Sequence, residues 1–312
     1  MLRIHPAAFA DNFNKNAFKI GHTLVGHPLF ELPRLVRLAQ RLSPTGGTNS
    51  VLYFRGDNAI NQFDANVIAT SAQKRQTPRQ TFVARNLERP ALAVEETVAQ
   101  IESCNAWMQL RDVGADPQYK LLLDEVMKEF AEQAQPLAPG ICSVRADIFV
   151  SSPGATTPFH LDEEHNFLLQ IRGSKELAIM DGSDRRVLRE AQIAAFYQGN
   201  GELAPYAPEL ERFAEHVHLG PSEGVHIPPC YPHWVQNGNA VSISFGVLWQ
   251  SDHTARQRNL YRVNRWLRGV GLAPRPAGES SVVDELKVAP FALKRRATRV
   301  LKAGMHRLGL GA

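Results

Sequence analysis

Thr157-Pro158-Phe159-His160-Leu161-Asp162-Glu163-Glu164-His165-Asn166-Phe167-Leu168-Leu169-Gln170-Ile171-Arg172-Gly173-Ser174-Lys175 is the stretch on which the reading of this 312-residue chain turns. It joins an H-x-D pair to an apolar run and ends in a glycine turn followed by a lysine. In an extended strand, residues two apart project to the same side, so His160 and Asp162 can face one cavity. An H-x-D pair alone is a short motif, and its company decides its meaning. Two histidines and one carboxylate on one side of a metal leave positions open, which suits Fe(II), whereas a structural zinc site is closed by four protein ligands. The second histidine must come from elsewhere. His233, in Ile227-Pro228-Pro229-Cys230-Tyr231-Pro232-His233, opens another strand after a proline-rich turn, with His226 beside the same strand as its competitor.

Lys175 follows the turn signal Arg172-Gly173. If Phe167 to Ile171 and Glu176 to Met180 pair as a hairpin, its ammonium returns to the cavity, where burial without a partner is costly. A dicarboxylate would satisfy it. Thr157 can donate a hydroxyl hydrogen bond to the same carboxylate, and Asn166 offers an amide near the metal. His165, His216 and His218 read as solvated or structural.

Outward from this stretch, the chain from Ser143 reads as strands punctuated by Gly and Pro: Val144 to Val150, Phe167 to Ile171, Glu176 to Met180, Gly224 to Ile227 and Ala240 to Trp249. That regime predicts a closed or two-sheet β architecture. Helical matter between about Val187 and Phe213 reads as an insertion, placed near 184–223. Upstream, a loop-like start precedes helices at Leu29 to Leu42, Leu92 to Ser103 and Gln118 to Gln135, with strands at Val51 to Phe54 and Trp107 to Leu110. Ser71 to Arg85 is polar and uninformative. Downstream, helices are expected at Arg256 to Gly269 and Phe291 to Leu308. The organisation expected is a flank at 1–135 integrated with the barrel, a β core at 136–252 and a basic helical segment at 253–312.

The run Thr157 to Lys175 resembles the iron and 2-oxoglutarate motif of the Jumonji C (JmjC) hydroxylases. It is most similar to the asparaginyl hydroxylase that inhibits hypoxia-inducible factor and to bacterial cupin-like relatives. The resemblance resumes from Gly224 to Val235. It implies a mainly β (α+β) fold, a double-stranded β-helix (jelly roll) with a helical N-terminal flank and C-terminal helices, often dimerised through the latter. It further implies Fe(II) on His160, Asp162 and His233, with Lys175 and Thr157 on the distal carboxylate of 2-oxoglutarate and Asn166 near its metal-chelating end. Because the family's ligand lies after the Ile-Pro turn, the resemblance selects His233 over His226. One departure stands out: where the hydroxylase has an asparagine on the next strand, the aligned position here is Gly246, and no matching upstream tyrosine is found.

The chemistry implied is oxidative decarboxylation of 2-oxoglutarate coupled to C–H oxidation, a hydroxylase acting on a peptide side chain or small metabolite. Phe196, Tyr197, Tyr206 and Tyr231 are candidates for lining its entrance. The alternatives are a cupin-like sensor or transcriptional regulator without turnover, and a metal-dependent cupin enzyme without 2-oxoglutarate, against which Lys175 and Thr157 argue.

Composition narrows the rest. With 44% hydrophobic and 21% charged residues the chain can bury a sizeable core. No run of about 18 apolar residues occurs, and the start lacks a secretory core, so a cytoplasmic protein is the expectation. Three cysteines without C-x-x-C spacing indicate neither a disulfide framework nor a zinc cluster. The overall +4 conceals a division: from His253 onward there are 13 Lys or Arg against 3 Asp or Glu, while the first 252 residues carry 22 against 28. Docking on the acidic body or homodimerisation through the C-terminal helices is expected ahead of nucleic-acid binding, because no DNA-reading motif accompanies the charge.

Overall fold

The computed structural model describes residues 1–42, 51–57, 92–134, 136–197 and 206–293. The polar stretch Ser71 to Arg85 and the part of the last expected helix beyond residue 293 lie outside the described residues.

Two antiparallel sheets face each other. The larger has the order β1-β2-β10-β7-β12-β5-β4-β3, from β1 (Leu2–Arg3), β2 (Phe18–His22), β3 (Val51–Arg55), β4 (Ala106–Leu110), β5 (Cys142–Ser151), β7 (His165–Arg172), β10 (Glu223–Ile227) and β12 (Ser242–Gln250). The smaller has the order β6-β11-β8-β9, from β6 (Thr156–His160), β8 (Lys175–Met180), β9 (Ala214–Leu219) and β11 (His233–Asn237). This is the expected double-stranded β-helix. Because both faces of each sheet are covered, the central strands are apolar on both sides instead of alternating cleanly.

The covering layers follow from the amphipathic helices. Outward-facing Phe167, Phe245 and Trp249 of the larger sheet pack with Leu35 and Leu38 of α2 (Leu32–Leu42) and with Val126 and Phe130 of α4 (Pro117–Ala134). The smaller sheet buries Phe159, Ala178 and Trp234 against Ile193 and Tyr197 of α5 (Glu190–Tyr197) and Tyr261 of α6 (Asp252–Gly269). Between the sheets lie Leu168, Leu177, Ile179, Val225 and Val235.

Four expectations need correction. The start is not a loop: β1, α1 (Pro6–Asn12) and β2 occupy it, and Phe9, Phe13, Phe18 and Ile20 are buried, so β2 extends the larger sheet beside β10. The insertion ends before residue 214, because Ala214–Leu219 is strand β9, exposing His216 and His218 while burying Val217 and Leu219. A further helix covers residues 281–293. Finally, β7 and β8 do not pair. Gly173, at φ +69, turns the chain from one sheet to the other, and a Cβ there would lie 2.4 Å from the Val241 carbonyl oxygen.

Candidate metal centre

β6 and β11 are neighbours in the smaller sheet, and their register sets His160 directly opposite His233, with ring centroids 4.1 Å apart. Each imidazole uses Nδ1 on a carbonyl two residues upstream, His160 on Pro158 at 2.8 Å and His233 on Tyr231 at 2.9 Å. An Nδ1–H donated to a carbonyl fixes the tautomer and leaves the Nε2 lone pair to bind a metal. Burial pulls both rings down to about 4, so both are neutral at pH 7. Ligand atoms of His160, Asp162 and His233 all lie within 4.8 Å of one another, the one such group among the described residues.

Asp162 reaches this point differently from the strand reading. β6 ends at His160, and Asp162 sits in the turn before β7. The turn is held by the Cys230 N–H, which donates to the Asp162 carbonyl at 2.6 Å and so links the two ligand-bearing loops. Burial raises Asp162 and Glu164, and it pushes Glu163 up to about 7 even with Arg258 in contact.

Thr157, His160, Asp162 and Asn166 line one cavity with Trp107, Gln109, Arg111, Arg145, Phe149 and Leu248. Arg145, Leu248 and Asn166 stand in one cross-strand row over β5, β12 and β7. Burial opposes the charge on Arg145, but Asp147 and Glu164 outweigh it and hold the guanidinium firmly protonated; Asp147 is in contact and Glu164 is 3.9 Å away. Asn166 is buried, and its Oδ1 has no hydrogen-bond partner.

Lys175 is not on that wall. It stands opposite Asn237, on the inward face of the smaller sheet shared by Val235 and His233. Only 6% exposed, it is pulled down to about 7 by burial, and no carboxylate among the described residues offsets that cost. Four residues along β11 separate its row from that of His233, about 13 Å at ~3.3 Å per residue.

His226 goes elsewhere. It projects from β10 to the outer side of the larger sheet, among Phe13, Phe18, Phe167 and Trp249, with His165 Nδ1 3.3 Å from its Nε2. The entrance aromatics are also corrected. Tyr197, Phe196 and Tyr206 pack outside the smaller sheet and Tyr231 packs in the inter-sheet core, while the cavity wall uses Trp107 and Phe149. On β12 the residue that meets the cavity is Leu248, opposite Asn166; Gly246 shares its face but is opposite Leu168, so this strand offers the cavity no amide.

Sequence reasoning missed Gln109, Arg111 and Arg145. Their signal was polar side chains at the inward positions of otherwise apolar strands, Trp107-x-Gln109-x-Arg111 and Arg145-x-Asp147-x-Phe149, which a fully buried strand does not tolerate without a ligand or partner.

The chain belongs to the cupin-like domain family, whose model matches residues 35–255. Among solved structures it is similar to Escherichia coli YcfD, with a TM-score of 0.51 and 14% identity, covering 94% of this chain and 68% of that one. YcfD, described as a ribosomal oxygenase, has also been solved with cobalt and 2-oxoglutarate; that structure matches with a TM-score of 0.48 at 14% identity, with the same coverage. A cupin superfamily protein from Desulfitobacterium hafniense matches with a TM-score of 0.23 at 10% identity, covering 35% of this chain and 68% of that one. The first of these likenesses is one of fold alone. No curated protein matches the sequence.

Proposed function

We propose that this chain is a non-haem Fe(II) and 2-oxoglutarate-dependent oxygenase. The observation that carries the reading is Lys175, a buried amine facing the interior with no anionic partner among the described residues. Effective penalties for an unpaired buried ion are several kcal/mol, so a fold that keeps one there is suited to an incoming carboxylate. The unsatisfied Asn166 Oδ1 on the cavity wall supports a polar ligand in the same interior.

His160 and His233 through Nε2 and Asp162 through its carboxylate would hold the iron, a set that leaves coordination positions free. When bound, the iron supplies the oxidative decarboxylation of 2-oxoglutarate and the oxidation of a C–H bond. The chain's own residues do the rest. Lys175 and Thr157 bind the distal carboxylate, and Asn166 orients the chelating end. Leu177 and Val235, inward on the path between the metal row and Lys175, exclude water. An extended lysine and a five-carbon dicarboxylate divide that span between them. The primary substrate, a peptide side chain or small metabolite, enters past Trp107, Gln109 and Arg111. YcfD, which shares the fold, is described as a ribosomal oxygenase and has been solved in complex with cobalt and 2-oxoglutarate; we extend the co-substrate to this chain and not the ribosomal target.

Anaerobic calorimetric titration of 2-oxoglutarate into the chain with Mn(II) present tests the assignment. Metal-dependent binding is expected, weakened at least tenfold in Lys175→Ala, since losing a buried charge partner commonly costs about 2–5 kcal/mol. Unchanged affinity in Lys175→Ala would remove the lysine from the site and favour a cupin enzyme that uses no oxo-acid.

A further inference from the structure

The turn carrying Asp162 is tied to the C-terminal helix. Glu163, next to the candidate ligand, is in contact with Arg258 of α6, and the two side chains are only 5% and 16% exposed. Three residues on, and so on the same helical face, Tyr261 stacks on Tyr197 at 4.9 Å and 12°, and donates to Glu190 at 2.8 Å. The Tyr197 hydroxyl in turn lies 3.3 Å from Cys230 Sγ. Cys230 sits at φ +61 in the turn that leads into His233. A non-glycine residue at positive φ persists where its surroundings over-determine it. Here those surroundings are Tyr197, the Asp162 carbonyl and Gly182, where a Cβ would lie 1.9 Å from the Cys230 carbonyl oxygen. One face of α6 therefore touches the Asp162 turn directly and reaches the His233 turn through Tyr197.

We infer that Arg258 is a positioning residue for the metal centre, holding the Asp162 turn in place through Glu163 while Tyr261 holds the His233 turn through Tyr197 and Cys230. The inference rests on the reading that His160, Asp162 and His233 bind a metal. Its sign separates it from simple electrostatics. Arg258 is a cation near a cation site, so if charge alone mattered, its removal would tighten metal binding. If it positions the carboxylate, its removal weakens binding, as loss of supporting contacts around metal ligands commonly does by about 10–100-fold.

Mn(II) affinity of the full chain, followed by electron paramagnetic resonance without co-substrate, distinguishes these. Arg258→Gln is expected to bind Mn(II) at least about tenfold more weakly, with an altered bound-metal spectrum, and Arg258→Lys to stay within about threefold of wild type. Because Arg258→Gln removes the cation in contact with a buried carboxylate and can fail to fold, the double variant Glu163→Gln/Arg258→Gln is the second arm. It removes the two groups of the pair together, so neither is left behind by the other, and positioning predicts the same loss. Wild-type or tighter Mn(II) binding in either folded variant overturns the proposal. A wild-type chain that binds no Mn(II) removes the metal centre itself, a different failure from the loss of Arg258's role alone.

Discussion

At the scale of single residues, the triad and Lys175 make opposite demands on the folded chain. Half-buried His160 and Asp162 and buried His233 stand beside one another as neutral rings and a carboxyl group, whereas Lys175 is a buried amine without a counter-charge among the described residues. Alanine at any of the three is expected to abolish Mn(II) binding with the fold retained by circular dichroism, while His226→Ala keeps its metal and loses stability by leaving a cavity in the outer aromatic cluster. Wild-type metal affinity in any triad variant would exclude that residue. For Lys175, burial lowers the folded pKa to about 7 from 10.5. Between these values the unfolded chain binds the extra proton, so this group makes stability rise with pH from about 7 to about 10 and penalises the fold most fully below 7. Lys175→Met is therefore expected to be more stable than wild type at pH 6 by roughly 5 kcal/mol in the ligand-free chain, at about 1.4 kcal/mol per unit. The advantage should shrink as pH approaches 10. Urea denaturation across that range reads it, and a pH-independent difference would mean that Lys175 is not desolvated. The spacing from Thr157 to Asn166 named residues that line one cavity, Thr157, His160, Asp162 and Asn166, because local sequence carries the motif, whereas Lys175 stands off that wall. Arg111 and Arg145 were not legible, since a charged residue is recognised as inward only when the strand's facing is known.

At the scale of elements, connections were harder to read than strands. An apolar run, a glycine and a second apolar run suggest a hairpin, yet Gly173 instead sends β7 and β8 into different sheets. The backbone's destination depends on Val241, far away in sequence, whose carbonyl occupies the space a Cβ would need. Gly173→Ala is accordingly expected to lose more than the ~1 kcal/mol of a simple glycine replacement, because it adds a backbone clash to a positive φ. A denaturation midpoint unchanged from wild type would contradict this. β2 escaped notice because its pattern is short and its partner β10 lies some two hundred residues on; β9 was absorbed into the insertion because its outward residues are polar. The long amphipathic α4 and α6 were readable, since their periodicity is local.

At the scale of the whole molecule, the described part of the C-terminal segment belongs to the architecture, with Leu260, Tyr261 and Asn264 of α6 buried. None of the described helices is long and apolar enough to cross a membrane. Homodimerisation through the C-terminal helices stays a proposal, motivated by exposed Val282, Leu286 and Leu293 on helix 281–293 and Trp266 on α6. If it holds, Leu286→Glu should lower the mass seen by size-exclusion light scattering to that of one chain, and a mass equal to wild type's would count against it. The central claim, that this cupin-like barrel turns over 2-oxoglutarate, is tested most directly by succinate release in the presence of Fe(II), ascorbate and O2. Succinate formation is expected from the wild-type chain, slow even without the primary substrate, absent in Asp162→Ala and restored in Lys175→Ala only at about tenfold higher 2-oxoglutarate. No succinate from a chain shown to bind Fe(II) and 2-oxoglutarate, or equal succinate from wild type and Asp162→Ala, would contradict it.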